Sequence, residues 1–211
     1  LIGGNNFDVF TGDDVMEGGE GADHFQGGPR RTDLIYSHSK QGVYVDLELN
    51  LGFGGEAQGD TFDGIRGAIY GSKFGDRLVA GQELFGQGGD DQLVAGYGTM
   101  QMTGGTGMDS FIFRYSTDYI ADLVHITDFD QALHEPLNVR GIDANTKAIG
   151  DQAFTFIGTA AFSGAAGELR YSVTEDGHTL VEMNVTKGDD LVDHKFVLDG
   201  SFTLTGADFL L

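Results

Sequence analysis

The feature that most constrains this chain is a nine-residue spacing of glycine, aspartate and an apolar residue, GGxGxDx(apolar)x. Its clearest copies are GGEGADHFQ, Gly18 to Gln26, and GGTGMDSFI, Gly104 to Ile112. Glycine lets a chain turn through positive φ and leaves the backbone carbonyls open. The aspartate adds a carboxylate, and the residues around it read as a short strand whose apolar member points inward. Two such half-turns make one coil of a flattened parallel structure, so each turn stacks on the turn two repeats along. Glycine- and aspartate-rich text also marks surface turns and linkers. Several copies in one register, with an apolar residue always two after the aspartate, set this chain apart from those.

The copies fall into two blocks. In the first, GGNNFDVFT (3–11) carries Gly4 and Asp8, with Asn6 where glycine is usual. GDDVME (12–17) is three residues short and carries Asp14. GGEGADHFQ supplies Gly19, Gly21 and Asp23, and GGPRRTDLI (27–35), one residue too long, supplies Asp33. The expected inward residues are Phe10, Met16, Phe25 and Ile35. In the second block, GSKFGDRLV (71–79) carries Asp76, and AGQELF (80–85) has Gln82 in the aspartate place. GQGGDDQLV (86–94) carries Gly89 and Asp91, and AGYGTMQMT (95–103) has Met100 there. GGTGMDSFI brings Gly105, Gly107 and Asp109. Leu78, Leu84, Leu93, Met102 and Phe111 are expected inward. Between the blocks, residues 36–70 read as an excursion. GVYVDLEL (42–49) alternates like a strand, and GEAQGDTFD (55–63) puts Asp60 and Phe62 at ligand and core positions.

Carboxylates and bare carbonyls in stacked turns are the donor set of calcium, which takes about six to eight hard oxygens at about 2.3–2.6 Å. Stacking two repeats apart pairs Asp8 with Asp23, Asp14 with Asp33, Asp76 with Asp91, and Asp91 with Asp109. On the other side of the second block it pairs Gln82 with Met100, and a thioether is too soft for calcium. The second block is therefore expected to hold calcium on one side only. With 33 acidic against 12 basic residues the formal charge is −21. Stacked carboxylates without a cation repel, so the metal-free repeat region, 1–113, is expected to be largely unfolded and metal binding to supply folding energy.

The same charge argues against nucleic acid as a partner. Six of the twelve basic residues, Arg30, Arg31, Lys40, Arg66, Lys73 and Arg77, fall between positions 30 and 77. They read as ordinary solvated charge or as a patch for an acidic polysaccharide. There is no cysteine, hence no disulfide. No apolar run is long enough to span a membrane. No leader peptide is legible, because LIGGNNFD already reads as repeat, and the chain is expected to be a piece of something longer.

From about Arg114 the glycine spacing stops and strand text takes over: LVHITDFD, FTFIG, ELRYSV, TLVEMNV, HKFVLDG and FTLTG. An antiparallel β-domain over 114–211, capping the open end of a coil over 1–113, is expected, since an uncapped coil leaves unpaired strand edges. The repeats resemble those of RTX proteins, whose fold is a parallel calcium-binding β-roll. FIFRYSTDYIADLVHITDFD, GDQAFTFIGTAAFSGAAGELRYS and FTLTGADFLL resemble the C-terminal domain of serralysin-type metalloproteases, and mannuronan C-5-epimerase R-modules are similar in plan. This resemblance covers most of the chain. It implies an all-β, secreted, extracellular module at the end of a larger exoprotein, passed by a type I exporter that reads Asp208, Phe209, Leu210 and Leu211 as signal. Chain ends are weakly held as a rule, so removing these four residues is expected to leave the fold intact. Two alternatives are a calcium-dependent polysaccharide- or cell-surface-binding domain and the non-catalytic tail of a metalloprotease or other hydrolase. Where that family has GxDKIDLS this chain has HEPLNVRG (134–141), and where it has NGDGxADF this chain has KGDDLVDHKF (187–196), which leaves the roles of Asp189, Asp190 and Asp193 open.

No catalytic constellation is legible. A zinc protease needs HExxH on a helix, but His134-Glu135 runs into Pro136-Leu137-Asn138. His24, His38, His125, His178 and His194 show no ligand spacing, and no serine stands in a GxSxG elbow. His125 lies in apolar strand text and reads as a hydrogen-bonded structural histidine.

Overall fold

The computed structural model describes residues 7–9, 14–114, 123–186, 188 and 191–211, and among them the regular structure is strands and short 3-10 turns, with no α-helix. The first strands are β1 (Phe7–Val9), β2 (Asp14–Met16), β3 (His24–Gln26) and β4 (Thr32–Ile35). Next come β5 (Tyr44–Asp46), β6 (Leu51–Phe53), β7 (Thr61–Asp63) and β8 (Ala68–Tyr70). The second block forms β9 (Arg77–Val79), β10 (Glu83–Gly88), β11 (Gln92–Val94), β12 (Gln101–Thr106) and β13 (Ser110–Arg114). The remainder supplies β14 (Val124–Ile126), β15 (Leu137–Gly141), β16 (Thr155–Phe156), β17 (Glu168–Val173), β18 (Thr179–Asn184), β19 (His194–Leu198) and β20 (Phe209–Leu210). No helix among the described residues is long and apolar enough to cross a membrane.

These strands form a three-stranded sheet (β1-β3-β7), a ten-stranded sheet (β16-β17-β18-β19-β14-β12-β10-β8-β4-β2) and a seven-stranded sheet (β20-β15-β13-β11-β9-β5-β6). From β8 to β15 successive strands fall alternately in the two larger sheets, and each pairs parallel with the strand two along. The register stacks like on like. Met16, Leu34, Ile69, Leu84, Met102, Ile126 and Leu198 form one buried column. Val45, Leu78, Leu93, Phe111, Leu137 and Phe209 form the other. Each such side chain contributes roughly 1.5–3 kcal/mol of burial, and the two columns are the core of the repeats. The expected inward positions Met16, Phe25, Phe62, Leu78, Leu84, Leu93, Met102 and Phe111 are all buried.

The first block departs from the expected register. Met16 pairs with Leu34, so Leu34 and not Ile35 points inward, and Thr32 rather than Asp33 stands opposite Asp14. Counted from Gly27, Thr32 and Leu34 fall at the regular aspartate and apolar places, so no residue is extra and Asp33 lies one place beyond. Asp33 stays on the outer face, bridged to Arg31 at 2.9 Å, and Arg31 also donates to Glu83 at 2.8 and 2.9 Å. Asp8 lies opposite Phe25, two residues from the register that would set it against Asp23. The stretch 42–49 is not one strand. β5 ends at Asp46, whose Oδ1 accepts from Glu48 and Leu49, and the chain returns antiparallel as β6.

Among the described residues beyond 114, antiparallel pairing is confined to β17-β18-β19. β14 and β15 continue the two sheets parallel to β12 and β13, β19 pairs parallel with β14, and β20 pairs parallel with β15. Asp193 closes a turn by accepting from Val185 and Thr186 at 2.7 and 3.0 Å, while Asp189 and Asp190 lie outside the described residues.

The last residues are built into the sheet, against the expectation of a weakly held end. Phe209 is 5% exposed and continues the column above Leu137. Asp208 Oδ2 accepts from Thr205 N at 2.7 Å, and Gln131 Nε2 donates to the same carboxylate. Phe209→Ala is accordingly expected to cost about 3–5 kcal/mol, read by urea unfolding. Unchanged stability would show that β20 is undocked in solution.

Candidate metal centre

On β9, β11 and β13 an aspartate precedes the inward residue by two places, in Asp76-Arg77-Leu78, Asp91-Gln92-Leu93 and Asp109-Ser110-Phe111. Parallel register therefore stacks the aspartates as it stacks the core. Asp76 N donates to Asp91 Oδ1 at 2.7 Å, Asp91 N to Asp109 Oδ1 at 2.9 Å, and Asp109 N to Glu135 Oε1 at 3.4 Å. The three-stranded sheet repeats the motif once, with Asp23 N donating to Asp60 Oδ1 at 2.9 Å. One oxygen of each accepting carboxylate thus caps the backbone of the turn stacked on it.

The second oxygens differ. Asp23 is 5%, Asp91 1% and Asp109 0% exposed, and the Oδ2 atom of each is buried with no hydrogen-bond partner. An unpaired buried carboxylate oxygen is costly. Local glycine makes the space for it. A Cβ at Gly86 would stand 2.1 Å from Asp91 Oδ2, and one at Gly104 2.2 Å from Asp109 Oδ2. The expected turn glycines Gly19, Gly21, Gly89, Gly105 and Gly107 all have positive φ. At Gly107 a Cβ would also lie 2.1 Å from the Gly89 carbonyl oxygen.

By contrast, Asp60 Oδ2 accepts from the Tyr36 hydroxyl at 2.8 Å. Asp76 is also satisfied. Val43 N donates to its Oδ1 at 2.7 Å, Ser72 Oγ to the same oxygen at 2.9 Å, and Ser72 N to Oδ2.

Burial pushes Asp91 up to about 8, helped by the charges of Asp76, Asp109 and Asp90. Burial likewise raises Asp76 and Asp109 above the usual carboxylate range, Asp60 to about 6 and Glu135 to about 7.

Two acids of this stack lie outside the glycine repeats. Glu135, buried two places before Leu137, accepts from Asp130 N at 2.7 Å as well as from Asp109 N. Asp128 accepts from Gly104 N and Gly105 N at 2.9 and 2.7 Å. The sequence does carry a signal for the first of them: Glu135-Pro136-Leu137 has the same acid-x-apolar spacing as the repeats. The neighbouring His134 masks it by making the run resemble a broken zinc motif.

The opposite edge is different in kind. In register above the buried column of the ten-stranded sheet stand Thr32, Gly67, Gln82 and Met100, and Met100 N donates to the Gln82 carbonyl at 2.8 Å. The pairing of Gln82 with Met100 and those of Asp76, Asp91 and Asp109 follow the expected two-repeat rule. Gly4, Asn6 and Phe10 lie outside the described residues, and of Asp8 and Asp14 only the strand placement is described.

Among the described residues no group of three or more histidine, cysteine or acidic side chains is placed to hold a metal. The donors available at any one turn are thus one or two carboxylates with the neighbouring carbonyls, an all-oxygen set that suits a hard cation. Unpaired Oδ2 atoms beside glycines fit such an ion. His125 lies away from the stack on β14, its Nδ1 3.2 Å from Asp199 Oδ1, as a hydrogen-bonded strand histidine would be. No family model matches this chain, and no curated protein matches it.

A pH dependence follows for the metal-free chain. Asp91 binds its proton more tightly folded than unfolded, so its contribution is fully present below the unfolded value near 3.8 and is lost as pH rises toward about 8. In EDTA the melting temperature should fall as pH rises through this window. A metal-free melting temperature that climbs across it would contradict buried, uncompensated carboxylates.

Proposed function

We propose that this chain is a calcium-binding β-roll module of an exported protein, folded by the ion outside the cell. The observation that carries this reading is the stack of aligned carboxylates whose buried Oδ2 atoms, at Asp23, Asp91 and Asp109, have no donor. Asp23, Asp91 and Asp109 would each hold calcium together with backbone carbonyls of the glycine turns. When bound, the ion supplies positive charge to carboxylates that otherwise repel within a chain of net charge −21. In the low-calcium cytosol such a chain stays extended and passes a type I exporter, which by resemblance reads Asp208 to Leu211. Where calcium is abundant it folds and helps whatever part of the exoprotein it is joined to. Its role is binding and folding, with no catalytic role assigned to any of its residues.

A second reading, binding of a polysaccharide or cell surface, is favoured by one feature of the seven-stranded sheet. Phe53, Tyr44, Arg77, Gln92 and Ser110 form a transverse row. The Tyr44 and Phe53 rings are 6.0 Å apart, and the Arg77 guanidinium lies 5.8 Å from the Tyr44 ring. Aromatic faces beside planar polar groups suit sugar rings. A glycan array at millimolar calcium separates this reading from a purely folding role.

The calcium reading is tested by circular dichroism and thermal melting. Calcium should restore β signal cooperatively to a chain that in EDTA is mostly unordered over 1–113, with a midpoint of roughly 10⁻⁴–10⁻³ M, and magnesium should substitute poorly. Asp91→Asn should lower the melting temperature in calcium but leave it equal or higher in EDTA, where it removes a buried acid that folds only at the cost of taking up a proton. Identical spectra and melting with and without EDTA would overturn the proposal.

A further inference from the structure

The stacked carboxylates divide into two kinds by the fate of one atom. At Asp23, Asp91 and Asp109 the Oδ2 atom is buried with no donor, while at Asp60 it accepts from the Tyr36 hydroxyl and at Asp76 from Ser72 N. The difference follows position in the sheets. β7 is an edge of the three-stranded sheet, so Asp60 ends its stack. Asp76 ends the other, because the next strand, β5, brings Val43 and not an acid to that place.

We infer that Tyr36 stands in for a cation at Asp60: its hydroxyl supplies the positive end of a dipole to the oxygen that calcium would otherwise neutralise, so this stack terminates without an ion. This inference rests on the calcium reading and makes it finer, since Asp60 carries the repeat spacing of a ligand yet is assigned none. Tyr36 is suited to the part. It is fully buried, its backbone N–H is tied to the Tyr70 carbonyl, and burial beside Asp60 keeps its hydroxyl protonated well above the ordinary range. Asp60 is also fixed from behind. Gly52 N donates to its carbonyl at 2.9 Å and its own N–H bonds the Ala57 carbonyl at 3.2 Å, closing the excursion on itself. Ser72 plays the corresponding part at Asp76, where its backbone N–H and hydroxyl supply the donors. The segment from Tyr36 to Asp76 therefore has internal hydrogen bonds where the flanking repeats have need of metal. Within the repeats it is the part that keeps its structure when calcium is withdrawn.

The experiment counts calcium bound per chain by equilibrium dialysis, with amide hydrogen exchange in EDTA as a second readout. Asp60→Asn should bind as much calcium as the wild type, whereas Asp91→Asn should bind about one ion fewer, the loss expected when a calcium site loses a carboxylate ligand. In EDTA, amides of 52–63 should exchange more slowly than those of 86–110, and Tyr36→Phe should abolish that difference with its calcium count unchanged. Asp60→Asn losing calcium as Asp91→Asn does, or equal exchange of the two segments in the wild type, would overturn the inference and leave the calcium reading standing. A wild-type chain that binds no calcium overturns both.

Discussion

A buried carboxylate held by one oxygen to the backbone of the next turn, with its other oxygen unpaired, is the constraint on which this molecule turns. Parallel pairing sets neighbouring strands about 4.8 Å apart. It therefore brings Asp76, Asp91 and Asp109 within one strand spacing of each other as surely as it brings Leu78, Leu93 and Phe111 together. Two like charges about 5 Å apart repel by roughly 3 kcal/mol at an effective dielectric constant near 20. That is of the same order as the burial of one core side chain in the column beneath. Core and charge are thus coupled through a single register and oppose each other turn by turn. Whether the stack holds together depends on what neutralises the acids, and a proton or a cation are the two candidates.

The two long edges of the stacked turns carry this coupling unequally. Along one edge the ligand places are Asp76, Asp91, Asp109 and Glu135; along the other they are Thr32, Gly67, Gln82 and Met100. From Thr32 to Met100 the second edge carries no acid at these places, and its turns are tied by backbone bonds such as that from Met100 to Gln82. Beyond Arg114 the sheets run on through β14, β15, β19 and β20 without a glycine repeat. The inward apolar residue suffices to continue the column there. The terminal Phe209 belongs to the same core as Leu78, which is why the end of this chain is structural as well as a candidate signal.

Much of this is legible in the sequence, for a physical reason. A nine-residue period fixes both the turn and the strand, so the spacing alone places Asp76, Asp91 and Asp109 and their inward partners in register. Legibility fails where the period slips. In GGPRRTDLI an outward ion pair to Arg31 competes with the repeat for Asp33, and Leu34 takes the core place. Glu135 and Asp128 are hard to find because no glycines flag them. The roles of Tyr36 and Ser72 depend on which distant residue a buried oxygen meets, and no local spacing encodes that. The parallel continuation past Arg114 is hidden because short strand text does not reveal the direction of its partner.

The most direct measurement is anomalous scattering from crystals grown in calcium. The account predicts ions beside the Oδ2 atoms of Asp91 and Asp109 and none between Gln82 and Met100. An ion held between Gln82 and Met100, or none beside Asp91 and Asp109, would contradict it.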